Sequence, residues 1–297
     1  YVTGASIGAP PDAFNLAGQN WGRPPPNPLT LRANAYAPFI AALRANMQHA
    51  QVLRIDHVMG MQRLYWVPSG QSAQAGAYVR YPLDDMLGIL ALESHRNRCM
   101  VVGEDLGTLP NGFRERMAAA KVLSYRLSMF ERYPDGLFRR PVTYPQLAVA
   151  TFGTHDLPTI RSWWEGHDIE VRRTLGLTTE VEAGREAEER QADRRLLLAA
   201  LRDQQLLGPD QEKLEDLDEL VMAVQRFVAR TPSALMFANL TDLLSEAAQI
   251  NVPGTVVECP NWRHRSHSSV ADLAANPLLR RIVAAVSAER RENLAPQ

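Results

Sequence analysis

What this sequence has little of narrows its class first. Only two cysteines occur in 297 residues, Cys99 and Cys259, 160 positions apart and without metal-ligand spacing. That excludes a disulfide framework and argues against a zinc site, so reduced thiols in a cytoplasmic protein are expected. Neither sign of charge is in surplus: 32 basic side chains face 33 acidic ones, for a net charge of −1. A surface that tracks phosphates needs clustered excess Lys and Arg, and Arg139-Arg140, Arg194-Arg195 and Arg280-Arg281 read as solvated helix faces. No nucleic-acid partner is expected. No apolar run approaches the ~18 residues of a membrane span, and the N-terminus has neither a charged leader nor an apolar segment behind it. No membrane partner is expected either. A period of 20 to 50 residues is absent, which excludes solenoids and propellers.

The chain must therefore be read element by element. Residues 1–30 are rich in Gly and Pro, with Ala9-Pro10-Pro11-Asp12 and the run from Trp21 to Pro28, and show no regular period; they read as a long ordered loop. From Tyr36, Phe39, Ile40, Leu43 and Met47 fall at helical spacing, giving a helix that ends near Ala50. Apolar runs that end in charged residues then recur at Gln51–His57, Met100–Asp105 and Ala148–Asp156. Val122–Leu127 and Ile250–Gly254 are two further candidate strands, with helices over Leu83–Arg96 and Phe113–Ala120 between the earlier ones. Strand, helix, strand in this order predicts parallel α/β units.

Beyond Thr178 the pattern turns helical up to Gln249. One stripe holds Leu196, Leu197, Ala200 and Leu201, with Gly208-Pro209 as a stop. A second holds Leu217, Leu220, Val221, Val224 and Phe227, and a third starts at a Ser233 cap and carries Leu235, Met236, Leu243 and Leu244. These are core-packing faces. A last helix runs from Pro277 to about Glu292. The expected division is a barrel portion at 1–177, a helical insertion at 178–249 between the last two strands, and a final strand and helix at 250–297.

In parallel α/β folds the loops at the carboxyl ends of the strands converge on one mouth. Three strands here end in an acid: Asp56, Glu104 and Asp156, spaced 48 and 52 residues apart. A single such acid reads as a helix cap or a surface ion pair, but three in register predict carboxyls that meet. Residues two apart on a strand share a face, so Arg54 should lie beside Asp56 and hold it ionised. Glu104, crowded by other carboxylates, should hold its proton to higher pH. Two acids with divergent pKa values suit glycoside chemistry. Metal-assisted hydrolysis is the competing use of three acids, and it would require His57 and His155 to turn toward one ion. No metal and no cofactor are expected.

At these residues the sequence resembles the amylomaltase, or 4-α-glucanotransferase (disproportionating enzyme), family of the α-amylase clan. The matching blocks are Gly4–Asp12, Gly18-Gln19-Asn20-Trp21-Gly22, Leu53-Arg54-Ile55-Asp56-His57, Gly103-Glu104-Asp105-Leu106-Gly107, Thr154-His155-Asp156-Leu157-Pro158, Val252-Pro253-Gly254-Thr255 and Asn261-Trp262-Arg263. The resemblance implies an α/β fold, namely the C-terminal strands of an incomplete (β/α)8 TIM barrel with a helical insertion, the first three strands of the family barrel preceding Tyr1.

It implies Asp56 as nucleophile, Glu104 as general acid/base and Asp156 as transition-state stabiliser. Arg54, His57 and His155 would orient the nucleophile and bind hydroxyls of the reacting sugar, and Gln19, Asn20 and Trp21 would sit on a loop that covers it. The implied activity is transfer of α-1,4-glucan segments between maltodextrins with retention of configuration. The alternatives are a retaining α-glucan hydrolase of the same clan and an inactive glucan-binding fragment lacking the earlier strands.

Overall fold

The computed structural model describes residues 1–11, 17–208 and 216–294. Asp12, quoted with the first loop, and Pro209, read as a helix stop, lie outside them. The chain divides into two compact units, Tyr1–Tyr125 and Arg126–Gln297.

The first unit contains, in chain order, β1 (Ala5–Ala9), β2 (Gln19–Arg23), α1 (Pro28–Ala33), α2 (Ala37–Met47), β3 (Val52–Ile55), β4 (Arg63–Pro68), β5 (Ala77–Arg80), α3 (Leu83–Asn97), β6 (Met100–Gly103), α4 (Phe113–Ala119) and the first three residues of β7 (Leu123–Leu127). Part of the expected N-terminal loop is therefore strand. β2, β1, β4 and β5 form an antiparallel sheet in that order. Its first hairpin has no legible alternation because the pairing is irregular: the register shifts between Ile7 and Gly8. A Cβ on Gly8 would lie 2.0 Å from the Gln19 carbonyl oxygen, so only glycine lets the two backbones approach this closely.

β3, β6 and β7 pair in parallel, as the strand–helix alternation predicts. Val52 to Ile55 lie opposite Met100 to Gly103, and Val102 and Gly103 lie opposite Leu123 and Ser124. The helices cover these strands through a core that includes Leu43, Met47, Leu90, Val101, Phe113 and Met117. Burying such side chains contributes about 1.5–3 kcal/mol each. α2 and α3 are further tied by Arg44, whose Nε and Nη2 donate to the Glu93 carboxylate at 2.8 Å each.

The second unit contains β8 (Ala148–Thr151), α5 (Ile160–Glu165), α6 (His167–Thr174), α7 (Glu180–Asp203), α8 (Leu217–Ala229), β9 (Leu235–Met236), α9 (Leu240–Leu243) and α10 (Pro277–Leu294). Every residue of β8 is buried. α7 starts with a reciprocal cap: Thr179 accepts from the Glu182 N–H, and the Glu182 carboxylate accepts from the Thr179 N–H. α8 turns Leu220, Val221, Val224, Phe227 and Val228 into a core that also receives Ile282 of α10. Glu289 of α10 accepts from Arg226 Nη2 at 2.6 Å and Arg230 Nε at 2.7 Å, clamping the same pair of helices.

One strand lies elsewhere than the sequence predicts. Residues 250–254 form no strand; β8 instead pairs in parallel with β9, Val149 opposite Leu235 and Ala150 opposite Met236. Pro253 has no N–H to donate to a ladder, Gly254 has φ +88°, and the Val252 N–H is taken by Asn261 Oδ1. Leu235 and Met236 read as helical because a two-residue strand is too short to show a period of two.

Candidate active site

In the first unit, the end of β3 carries Arg54 and Asp56 on one side, as their spacing requires, with Arg54 Nη2 2.8 Å from Asp56 Oδ1. The Asp56 side chain is 76% exposed, whereas Glu104 is 8% exposed. Two acids on neighbouring parallel strands therefore sit in opposite environments.

Glu104 follows Gly103, where a Cβ would press to 2.9 Å from Val58; glycine allows the turn after β3 to close over the end of β6. There the Glu104 N–H donates to the Ile55 carbonyl at 2.9 Å and the Val58 N–H to the Glu104 carbonyl at 3.0 Å. The carboxylate accepts two backbone N–H groups, from His57 at 2.8 Å and from Leu106 at 2.8 Å. Burial pushes its pKa above the ordinary glutamate value; the N–H groups of Leu106 and His57 oppose this, the Asp56 charge adds to it and the Arg54 cation subtracts. The direction matches the sequence expectation. The leading cause is desolvation, with carboxylate crowding a smaller contribution.

His57 is held at φ +47°, a left-handed conformation that costs a non-glycine residue about 1–2 kcal/mol. That backbone aims its N–H at Glu104. Its ring makes an edge contact with Trp21, centroids 5.3 Å apart at 78°, and its Nε2 is buried without a hydrogen-bond partner among the described residues. Burial lowers the imidazole pKa, with Arg63 adding to the effect and Asp56 opposing it. Trp21 is 39% exposed and its indole N–H donates to Gln19 Oε1 at 2.9 Å. Asn20 accepts from the Gly22 N–H at 3.0 Å, so its side chain shapes its own turn.

In the second unit, His155 and Asp156 follow β8, and His155 Nε2 is 3.3 Å from Asp156 Oδ2. The other oxygen accepts from Asn251 Nδ2 at 2.6 Å, and Gln249 Nε2 donates to the Asp156 carbonyl at 3.1 Å. The segment that carries these amides folds on itself: the Trp262 N–H donates to the Ile250 carbonyl at 2.9 Å, and the Trp262 ring lies 5.1 Å from that of His155. Glu246 anchors its far end, accepting from His264 Nε2 at 2.7 Å and from Ser266 Oγ at 2.5 Å. Burial works the other way, yet these donors hold the Glu246 carboxyl below the usual glutamate range. A cavity of about 300 Å³ opens among His155, Leu157, Leu244, Glu246, Ile250 and Trp262.

The model of the family described as 4-alpha-glucanotransferase matches residues 1–271. The chain belongs to this family. Among its curated relatives, the 4-alpha-glucanotransferase of Haemophilus influenzae is 40% identical over 284 residues, covering 94% of this chain and 40% of that protein. The Mycobacterium tuberculosis 4-alpha-glucanotransferase is 41% identical over 265 residues, covering 88% of this chain and 36% of that protein. This member of the 4-alpha-glucanotransferase family thus spans well under half the length of these relatives. The crystal structure of amylomaltase from Corynebacterium glutamicum matches with a TM-score of 0.88 at 33% identity, over 95% of this chain and 42% of that one. Amylomaltase from Streptococcus agalactiae, in complex with acarbose, shares the fold with a TM-score of 0.71 at 22% identity, over 96% of this chain and 51% of that one.

Of the residues expected from sequence, the first unit brings together Arg54, Asp56, His57, Glu104 and Trp21; Gln19, Asn20 and Trp21 lie on strand β2 and not on a loop, with Gln19 supporting Trp21 and Asn20 bonded to Gly22 of its own strand. The second unit brings together His155 and Asp156. Sequence reasoning missed Asn251 and Gln249 because no period marks an amide that reaches back 95 and 93 residues. Tyr125 was also missed as a contact: its ring lies 5.2 Å from the Arg54 guanidinium. Among the described residues, no group of three or more His, Cys, Asp and Glu is arranged to hold a metal ion. No helix among them is long and apolar enough to cross a membrane.

Proposed function

We propose that the chain carries the catalytic carboxylates of a 4-α-glucanotransferase that moves α-1,4-glucan segments between maltodextrins by a retaining double displacement. The observation that carries this reading is the contrast between Asp56 and Glu104: one carboxylate open to solvent and paired with Arg54, the other buried and biased toward its protonated form. Asp56 attacks the anomeric carbon, the bond to the 4-oxygen of the leaving glucan breaks, and the Glu104 proton goes to that oxygen. A second glucan then attacks the glycosyl ester through its 4-hydroxyl, whose proton returns to Glu104 as Asp56 departs.

Arg54 orients Asp56. Asp156, held by Asn251, is the transition-state stabiliser, and His57 and His155 are sugar contacts. Gln19, Asn20 and Trp21 form a cover that favours a sugar acceptor over water. The parallel strands are read as the C-terminal strands of a (β/α)8 barrel, with the helices from residue 178 onward as the insertion; its expected end at 249 is drawn back to before β9, because residues 250–254 form no strand. Support for this comes from the strand–helix alternation and the likeness to the Corynebacterium glutamicum amylomaltase. We place the protein in the cytoplasm, a reading that the two free cysteines support.

The test is to incubate the complete protein with maltotriose. Glucose together with longer maltodextrins is the expected outcome; shorter sugars alone would mark a hydrolase and refute transfer.

A further inference from the structure

The Gly-Glu-Asp-Leu-Gly block contains a second acid that the proposed chemistry does not use. Asp105 is 2% exposed, and its carboxylate bridges two elements. Oδ1 accepts from the backbone N–H of Tyr125 in β7 at 2.8 Å, and Oδ2 accepts from Arg114 Nε of α4 at 2.7 Å. Arg114 Nη2 also donates to the Asp105 carbonyl at 3.2 Å, so the residue is gripped at both its side chain and its backbone.

Each end of this bridge leads to one of the two proposed reacting carboxylates, Glu104 and Asp56. On one side, the next residue is Leu106, whose N–H is one of the two groups that donate to Glu104. On the other, Tyr125 is the residue whose buried ring faces the Arg54 guanidinium at 5.2 Å, and Arg54 holds Asp56. The regular β6–β7 ladder stops at Gly103 opposite Ser124. Beyond that point the Asp105 carboxylate supplies the acceptor that a strand carbonyl would otherwise provide.

The geometry points to Asp105 as a positioning residue that fixes both reacting carboxylates at once, Glu104 through the Leu106 N–H and Asp56 through the Tyr125–Arg54 stack. An asparagine cannot replace it: its single carbonyl oxygen can satisfy Tyr125 or Arg114, and the amide then turns two hydrogens toward the other donor. The inference rests on the proposed roles of Asp56 and Glu104, and its test is arranged so that the two can fail separately.

The test compares wild type, Asp105→Asn and Arg114→Gln in the complete protein. The first readout needs no turnover: the Glu104 carboxyl is titrated by ¹³C NMR with labelled glutamate, assigned through Glu104→Gln. Loss or weakening of the Leu106 donor should move that titration to higher pH in Asp105→Asn and by a smaller step in Arg114→Gln. The second readout is kcat on maltotriose and on an α-maltosyl fluoride donor, with KM measured in parallel. Misplacement of reacting groups by about 1 Å costs roughly 10²-fold, so kcat should fall about 10- to 100-fold on both donors with KM changed less than threefold. Glycosyl-enzyme formation from the fluoride needs no proton from Glu104, so a slowing of that first step, read as kcat/KM on the fluoride, reports on Asp56.

An unchanged Glu104 titration together with unchanged kcat would overturn the inference. So would a loss confined to melting temperature or expressed equally in KM. If Asp105→Asn does not fold, Arg114→Gln alone decides by the same two measurements. Wild type inactive on both donors, with the Glu104 titration still moved by Asp105→Asn, would refute the proposed activity while supporting the positioning role.

Discussion

The backbone N–H of His57, the residue that follows Asp56, donates to the Glu104 carboxylate at 2.8 Å. The two acids are thus linked through main chain, and a shift of the turn after β3 moves the exposed carboxylate and the buried one together. This explains why a non-glycine residue is kept at φ +47° there: the conformation that costs energy is the one that points the amide at Glu104.

Asp56→Ala should abolish nearly all transfer from maltotriose while leaving the melting temperature close to wild type. The side chain is mostly exposed, and surface substitutions of this kind change stability by about 0.5 kcal/mol or less. Product chromatography and a thermal melt on the same preparation check both halves; retained turnover would remove Asp56 as nucleophile.

Glu104→Gln should slow transfer from maltotriose about 10²- to 10⁴-fold, the usual value of a general acid, and spare the first step with a fluoride leaving group. Because burial raises the Glu104 pKa, the wild-type kcat/KM on maltotriose should keep its alkaline limb above the ordinary glutamate range. Loss of the proton at higher pH removes the donor, so activity falls as pH rises through that limb. The limb should vanish with the fluoride donor in the variant.

Asn251→Ala removes the 2.6 Å donor to Asp156. Hydrogen bonds to charged groups contribute about 1.5–3 kcal/mol, reduced here because Asp156 is partly exposed. A roughly tenfold fall in kcat with little change in KM is expected from steady-state kinetics, and an unaltered kcat would separate this amide from the chemistry.

Trp21→Ala removes the edge contact on His57 and the indole N–H that donates to Gln19 on the same strand. The ratio of transfer to hydrolysis should drop, read as more reducing ends released per chain elongated. A constant ratio would show that Trp21 has no part in excluding water.

Asp242, which has no part in the proposed reaction, provides a separate stability test. It is 2% exposed and accepts from the Ile160 N–H at 2.7 Å, and burial raises its pKa to about 6. With the folded value above the unfolded one, its stabilisation is fully present below pH ~4 and is lost as pH rises through about 6, by up to about 3 kcal/mol. Asp242→Asn should remove that pH dependence and melt no lower than wild type at pH 7.5. Thermal melts from pH 4 to 8 measure it; a parallel offset at every pH would refute the assignment.

Much of this is legible in the amino-acid sequence. The parallel strands at β3, β6, β7 and β8 follow from apolar runs ending in charge, because a buried strand must be apolar and its carboxyl end is where polar groups emerge. Arg54 beside Asp56 follows from the period of two. The antiparallel sheet is not legible: β1 and β2 each carry a glycine and are flanked by prolines, and their pairing depends on a bulge that no period records. β9 was hidden for a related reason, since Leu235 and Met236 fit a helical stripe as well as they fit a strand. The supporting contacts of Asn251, Gln249 and Tyr125 are set by tertiary closure, which leaves no mark on local spacing.

The bulge at Ile7 and Gly8 reaches beyond the hairpin that contains it. With the Gln19 carbonyl oxygen already pressed against the place where a side chain would begin, even alanine at position 8 must drive β2 away from β1, and Trp21 rides on β2. The tightness of that one backbone crossing therefore sets how far the indole leans over His57. A methyl group added there would act as a wedge on the Trp21 ring, moving it relative to His57 from a distance.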